Sequence, residues 1–144
     1  MDRKLGLVLV VAFAIVFFMV LKGNNKPAIE NFDPMIIEIK ARLTKISPQF
    51  GQIPMKIGDK SYTEDKSVIT LCVTDKNTGK YYDINTLMYV ALHECAHTIT
   101  KASGEQAHDE EFTNNFTHLL LRASDVGVYN PNLPIPPTYC GIVN

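Results

Sequence analysis

The chain is poor in the residues that build crosslinked or nucleic-acid-binding domains. Its three cysteines, Cys72, Cys95 and Cys140, are an odd number and show none of the clustered spacing of a disulfide framework or a zinc knuckle. On that ground the folded part is expected in a reducing compartment. Cys95 reads as a small apolar residue on the buried side of its helix. Positive charge is in no excess: 14 Lys and Arg stand against 15 Asp and Glu, the net charge is −1, and there is no basic tract. Nothing therefore points to nucleic acid as a partner. Histidine is scarce too, at four in 144 residues, so close spacing among histidines carries information.

What the chain does have divides into two parts. The run from Leu5 to Leu21 contains no charge and is flanked by Arg3 and Lys4 before it and by Lys22 and Lys26 after it. Such a run can just span a bilayer core. A cleaved signal peptide would have a shorter apolar core followed by small residues, and Phe17-Phe18-Met19-Val20-Leu21-Lys22 offers no such site. The expected organisation is an N-terminal tail (1–4), a transmembrane anchor (5–21), a linker (22–30) and a single folded domain (31–144). This describes a single-pass membrane protein with the lipid membrane as one partner. The basic flanks are nearly equal and do not orient it; cysteine usage tilts the domain to the cytosolic side.

The second part is the string His93-Glu94-Cys95-Ala96-His97. On a helix, positions i and i+4 share a face, so both imidazoles can bind a single ion, most naturally Zn2+. Glu94 then lies beside the metal rather than on it. From there it can take a proton from a zinc-activated water, whose pKa the metal lowers to about 7, and return it to a leaving amine. A catalytic site needs a third protein ligand and an open fourth position. His108, beyond Ser103 and Gly104, is the preferred third ligand, reached if the motif helix ends near Thr100 and a loop containing Gly104 reverses the chain. Glu110 and Glu111 compete for that role. His118 falls elsewhere on the following helix and reads as a surface residue.

Around the motif the pattern is α+β. Asp33 and Pro34 suit the cap and first turn of a helix running to Ile46, with Ile36, Ile39, Leu43 and Ile46 on its apolar face. Short strands follow, broken by Gly51, Pro54, Gly58 and Asn77-Thr78-Gly79, and Val68 to Thr74 is the clearest of them. That strand is either a sheet edge able to capture an extended peptide or plain core sheet. Asp83 or Asn85 caps the motif helix. A second helix runs from about Asp109 to Ser124, with Phe112, Phe116, Leu119, Leu120 and Ala123 on its buried side. The tail from Asn130 reads as irregular. Tyr81, Tyr82, Tyr89, Tyr129 and Tyr139 are candidates to stabilise an oxyanion, with Tyr89 one turn before His93. The sequon Asn115-Phe116-Thr117 lies in a predicted helix and reads as accidental.

Leu92-His93-Glu94-Cys95-Ala96-His97, a short loop, and then His108 with Phe112 resemble the WLM and SprT-like zinc metallopeptidases over roughly residues 68–123. The resemblance implies a minimal zincin-like core, zinc on His93, His97 and His108, Glu94 as catalytic acid and base, and a protein or peptide substrate. Asn85-Thr86-Leu87-Met88 and Tyr139-Cys140-Gly141 are further similar to small WLM-like proteins of large DNA viruses, which implies a virion or host-membrane setting. Many members of the family act on proteins crosslinked to DNA. The absence of a basic tract here leaves that role without support. The metzincin pattern is excluded because its third histidine would fall at Ser103. The alternative from another class is a membrane-tethered assembly protein with a structural zinc, distinguished by a fourth ligand closing the site.

Overall fold

Asp33 caps the first helix among the described residues: its carboxylate accepts the Met35 N–H at 2.8 Å, and Pro34 occupies the first turn. The computed structural model describes residues 33–143. Helix α1 (Pro34–Ile46) buries Ile36, Ile39, Leu43 and Ile46 along one stripe, and a single turn, α2 (Pro48–Gly51), follows it. Three short strands come next, β1 (Met55–Ile57), β2 (Tyr62–Glu64) and β3 (Val68–Leu71). The motif helix α3 (Ile84–Ile99) and α4 (Glu110–Asp125) follow, joined by a 3-10 turn at Gly104–Gln106, and the chain closes with β4 (Thr138–Tyr139) and β5 (Ile142–Val143).

The sheet is mixed and its spatial order is β1-β3-β2. β3 pairs in parallel with β1, Met55 opposite Ile69, and antiparallel with β2, Tyr62 opposite Thr70. The most apolar strand is thus the central one, buried at Ile69, Thr70 and Leu71. Of the two readings left open for Val68 to Thr74, this decides for core sheet; the edge strands are β1 and β2, and the outward positions of β2 are exposed. The regular strand also stops at Leu71, and Thr74 is reached only by an isolated bridge to Tyr81.

Helix α3 lies between the sheet and the other helices, against β2, β3, α1 and α4. Leu87, Met88, Ala91, Leu92, Cys95 and Ala96 are fully buried along it. Asp83 caps it twice over, accepting the Thr86 N–H at 2.9 Å and the Thr86 hydroxyl at 2.6 Å. Replacing Asp83 with Ala should cost about 1 kcal/mol, the usual worth of such a cap. Urea unfolding would measure it, and an unchanged midpoint would remove the cap from the account of why the motif helix starts here.

Two expectations are corrected by these elements. Among the described residues no helix is long and apolar enough to cross a membrane, and the proposed tail, anchor and linker (1–30) lie outside the described residues. The fold seen is the α+β domain with its three-stranded sheet, and the single-pass membrane placement has no support in it. The second correction concerns Cys72 and Cys140, which form a disulfide across a sequence separation of 68, while Cys95 stays free and buried. Such a bond belongs to oxidising surroundings, so the argument for a reducing, cytosol-facing domain fails. Its reason was spacing along the chain, which says nothing about two distant segments meeting in space.

The tail is also more ordered than its composition suggests. Tyr139 pairs with Ile142 across a two-residue turn in which Cys140 (φ 48°) and Gly141 (φ 81°) are both left-handed, the conformation that suits a tight hairpin. The hairpin is seated on the domain by a closed set of hydrogen bonds. The Ser61 hydroxyl accepts the Cys72 N–H at 3.0 Å and meets the Tyr139 hydroxyl at 2.8 Å, and Tyr139 in turn donates to the Cys72 carbonyl. Burial pushes the Tyr139 phenol up to about 12, against the opposing effect of its bond to Ser61.

Candidate metal centre

His93 and His97 project from one face of α3 with their Nε2 atoms 3.3 Å apart. His108 comes back to the same point from the loop ahead of α4, its Nε2 at 3.1 Å from that of His93. The three ligand atoms all lie within 4.8 Å of one another. Around a tetrahedral zinc with Zn–N bonds of about 2.0–2.1 Å, neighbouring nitrogens sit about 3.3 Å apart, close to the spacing of the two pairs that share His93. Hydrogen bonding alone accounts poorly for the cluster. A ring nitrogen either donates or accepts, so the Nε2 of His93 can satisfy at most one of its two neighbours. A shared cation satisfies both. The cluster therefore fits a metal ion on the chemistry and spacing of its own donors.

Electrostatics favours the same form of the rings. Burial holds His93 down to about 4, with His97 and His108 adding to the effect, and burial lowers His97 as well, followed by His108 and Lys66. Neutral imidazoles with free lone pairs are what a metal requires. An aromatic wall backs them: the Phe112 ring lies 4.9 Å from His93, 4.5 Å from His97 and 4.7 Å from His108, and Phe116 is 5.2 Å from His93.

The third histidine is delivered by local backbone chemistry. Gly104 takes φ 66°, a left-handed conformation that suits glycine, at the start of the 3-10 turn. Asp109 then caps α4 by accepting the Phe112 N–H at 2.8 Å. His108 thus stands just before the cap rather than opening the helix. Its competitors lie elsewhere: Glu110 and Glu111 are not in the cluster, and the Glu111 carboxylate accepts the Lys101 N–H at 3.2 Å. His118 is exposed on α4.

Glu94 is 5% exposed, and its Oε2 accepts a hydrogen bond from the Thr63 hydroxyl at 2.7 Å. The same hydroxyl lies 3.1 Å from the Glu94 backbone carbonyl, which ties the motif helix to the edge strand β2. Burial raises the Glu94 carboxyl to about 7, with the Thr63 bond pulling the other way. A carboxylate poised near neutrality suits a group that takes up and releases protons. Glu94 and the three histidines line an open cleft of about 670 Å³ together with Tyr62 and Thr63 of β2.

The tyrosines that the sequence offers as oxyanion candidates, for each of which packing is the favoured role, pack away from the histidine cluster. Tyr89 packs edge-on against Phe116 at 5.2 Å and lies 6.3 Å from Tyr129; Tyr82 and Tyr139 pair beside the disulfide with ring centres 4.9 Å apart; Tyr81 donates to Asp33 at 2.8 Å. The tyrosine that lines the cleft is Tyr62, which sequence reasoning passed over together with Ser61, Thr63 and Lys66. The signal available was modest: a Ser-Tyr-Thr step one short turn before the most apolar strand, hence on its hairpin partner.

Comparison with known proteins finds viral relatives of unassigned activity. No family model matches the chain, and no solved structure matches it. It is 40% identical over 92 residues to uncharacterized protein 136R of Invertebrate iridescent virus 6, an alignment covering 62% of this chain and 50% of that protein. It is 37% identical over 93 residues to uncharacterized protein 042R of Invertebrate iridescent virus 3, covering 65% and 57%. An uncharacterized protein of Acanthamoeba polyphaga mimivirus is 40% identical over 86 residues, covering 58% and 42%. The chain thus spans about half the length of the curated relatives it matches, all of them viral proteins.

Proposed function

We propose that this domain is a zinc-dependent metallopeptidase of the WLM and SprT-like kind, cutting peptide bonds of a protein substrate. The observation that carries the reading is the convergence of the His93, His97 and His108 Nε2 atoms on one point beside a buried carboxylate, at the mouth of an open cleft. Zinc, when bound there, would supply Lewis-acid chemistry, acidifying water and polarising a carbonyl. The protein's own part falls to Glu94, which accepts a proton from the attacking water and passes it to the nitrogen of the leaving amine. Thr63 holds the Glu94 Oε2, which leaves the other oxygen for the proton. Strand β2 is the free edge of the sheet beside the cleft, so an extended peptide can add to it by backbone hydrogen bonds and lie across the histidines.

A structural zinc would be closed by a fourth side chain. Among the described residues the cluster holds three histidines, and Glu111 is occupied by the Lys101 amide. The catalytic reading is favoured on that ground. The test is metal content and cleavage of an unfolded protein such as casein by the full chain. We expect near-stoichiometric zinc, cleavage that stops with a chelator and returns with zinc, and a His108→Ala variant whose zinc affinity falls by more than the roughly 10–100-fold that loss of an outer partner costs. Zinc retained at full affinity in that variant would move the third ligand elsewhere. Bound zinc with no cleavage of any unfolded protein would overturn the peptidase.

A further inference from the structure

The segment that carries His108 to the metal point has little apolar anchorage. Lys101, Ser103, Gly104 and Gln106 are exposed, and so is His108 itself. Apart from the Phe112 ring against His108, its position comes from polar contacts, and the fullest set is made by a residue remote in sequence. The Lys66 ammonium donates to the Thr100 carbonyl, to the Lys101 carbonyl, and to the Ala102 carbonyl at 2.9 Å. An ammonium has three N–H donors, and here each has a carbonyl. Those carbonyls end α3 and begin the loop, where the negative end of the helix dipole also favours a cation.

The backbone beneath this side chain is unusual. Asp65 (φ 47°) and Lys66 (φ 55°) are the two central residues of the turn that opens the three-residue connection between β2 and β3, closed by the Ser67 N–H on the Glu64 carbonyl at 2.9 Å. Both positions of such a turn are left-handed and favour Gly, Asn or Asp; Asp65 is suited to its place and Lys66 is not. A strained conformation kept at a site lined by Lys66, His97 and His108 calls for a reason beyond the turn.

We propose that Lys66 is a positioning residue for the metal centre: from the β2–β3 turn it clamps the loop between His97 and His108 and so sets the third ligand against the other two. This rests on the metal site proposed above. Loss of the clamp leaves the two helix-borne histidines in place and frees the third, so it acts on metal affinity before it acts on the fold.

Lys66→Gly tests this directly, because glycine relieves the left-handed turn while removing the ammonium. Lys66→Met serves as a second variant that keeps a side chain on the turn. Zinc affinity of the full chain would be read by competition with a chromophoric chelator, folding by thermal unfolding of the metal-free proteins, and coordination by visible absorption after cobalt(II) substitution. We expect zinc affinity roughly 10–100-fold weaker in both variants, a nearly unchanged metal-free unfolding temperature for Lys66→Gly, and cobalt absorption weakened toward that of His108→Ala. Wild-type zinc affinity and wild-type cobalt absorption in both variants would overturn the role of Lys66 and leave the metal site standing. A wild-type chain that binds neither zinc nor cobalt would overturn the metal site, and the role of Lys66 with it.

Discussion

Glu94→Gln should reduce proteolysis roughly 10²–10⁴-fold, the range that general acid–base groups contribute, while the protein keeps its full complement of zinc. The two halves of that result have separate physical origins. Glu94 is not among the three clustered donors, so the ligand set is unaltered. Glutamine has the same shape, and its side-chain oxygen can still accept the Thr63 hydroxyl that now sits 2.7 Å from Oε2, so the tie between α3 and β2 persists. What disappears is the ability to hold a proton during bond cleavage. A buried carboxyl that burial has raised to about 7 is replaced by an amide that does not titrate in water. Steady-state cleavage of an unfolded protein, with zinc content measured on the same samples, separates the effects. Cleavage within a few-fold of wild type would remove Glu94 from the mechanism; lost zinc would mean that the carboxylate supports the ligands instead.

The parts of this molecule that could be read from the chain are those set by short-range chemistry. Asp33, Asp83 and Asp109 each precede a periodic apolar run, and each accepts an N–H two or three residues on, because capping is decided within one turn. The meeting of His93 and His97 is likewise a property of one helix. His108 required one further step, that Gly104 would reverse the chain, and the left-handed φ of 66° at that glycine is the physical form of the step. Strand order was out of reach. The alternation in Val68 to Thr74 fits an edge as well as a centre, and the choice depends on which strands flank it, which β1 and β2 decide through pairing in opposite directions.

Other features were missed for reasons of the same kind. Thr63 and Lys66 sit on a polar strand and turn with no motif around them; their roles come from direct hydrogen bonds to Glu94 and to the loop at the end of α3, which only the folded chain brings within reach. The tail hairpin did leave a local trace. Cys140-Gly141 between Thr138-Tyr139 and Ile142-Val143 is a two-residue turn with glycine at its second place, outweighed in the reading by the prolines before it. The membrane assignment rested on hydropathy of residues 5–21, outside the described fold, and the helices of that fold are amphipathic and pack on one another.

Cys140→Ser should lower the stability of the folded domain by about 4 kcal/mol, the chain-entropy value for a crosslink closing a loop with a sequence separation of 68. With a urea slope of about 2 kcal/mol/M, the midpoint would fall by roughly 2 M. Serine is a fair replacement, because the left-handed φ of 48° at this position is shared by whatever residue stands there, so the variant isolates the bond from the turn. Reduction of the wild type must produce the same shift, and thiol titration of the unfolded chain must rise from one group to three on reduction. Coincident midpoints for oxidised, reduced and variant protein would show that the bond adds nothing to the fold. The proposed metal centre should respond differently. Its three histidines come from α3 and the loop before α4, neither of which touches the tail through the disulfide, so zinc affinity of the folded variant should stay at the wild-type value. The edge strand has no such independence. Ser61, one residue before β2, is held by Tyr139 beside Cys140, so freeing the hairpin slackens the strand on which a peptide would lie. The expected signature is a raised KM for an unfolded protein substrate at unchanged zinc content, and a KM equal to that of the wild type would sever the tail from the cleft.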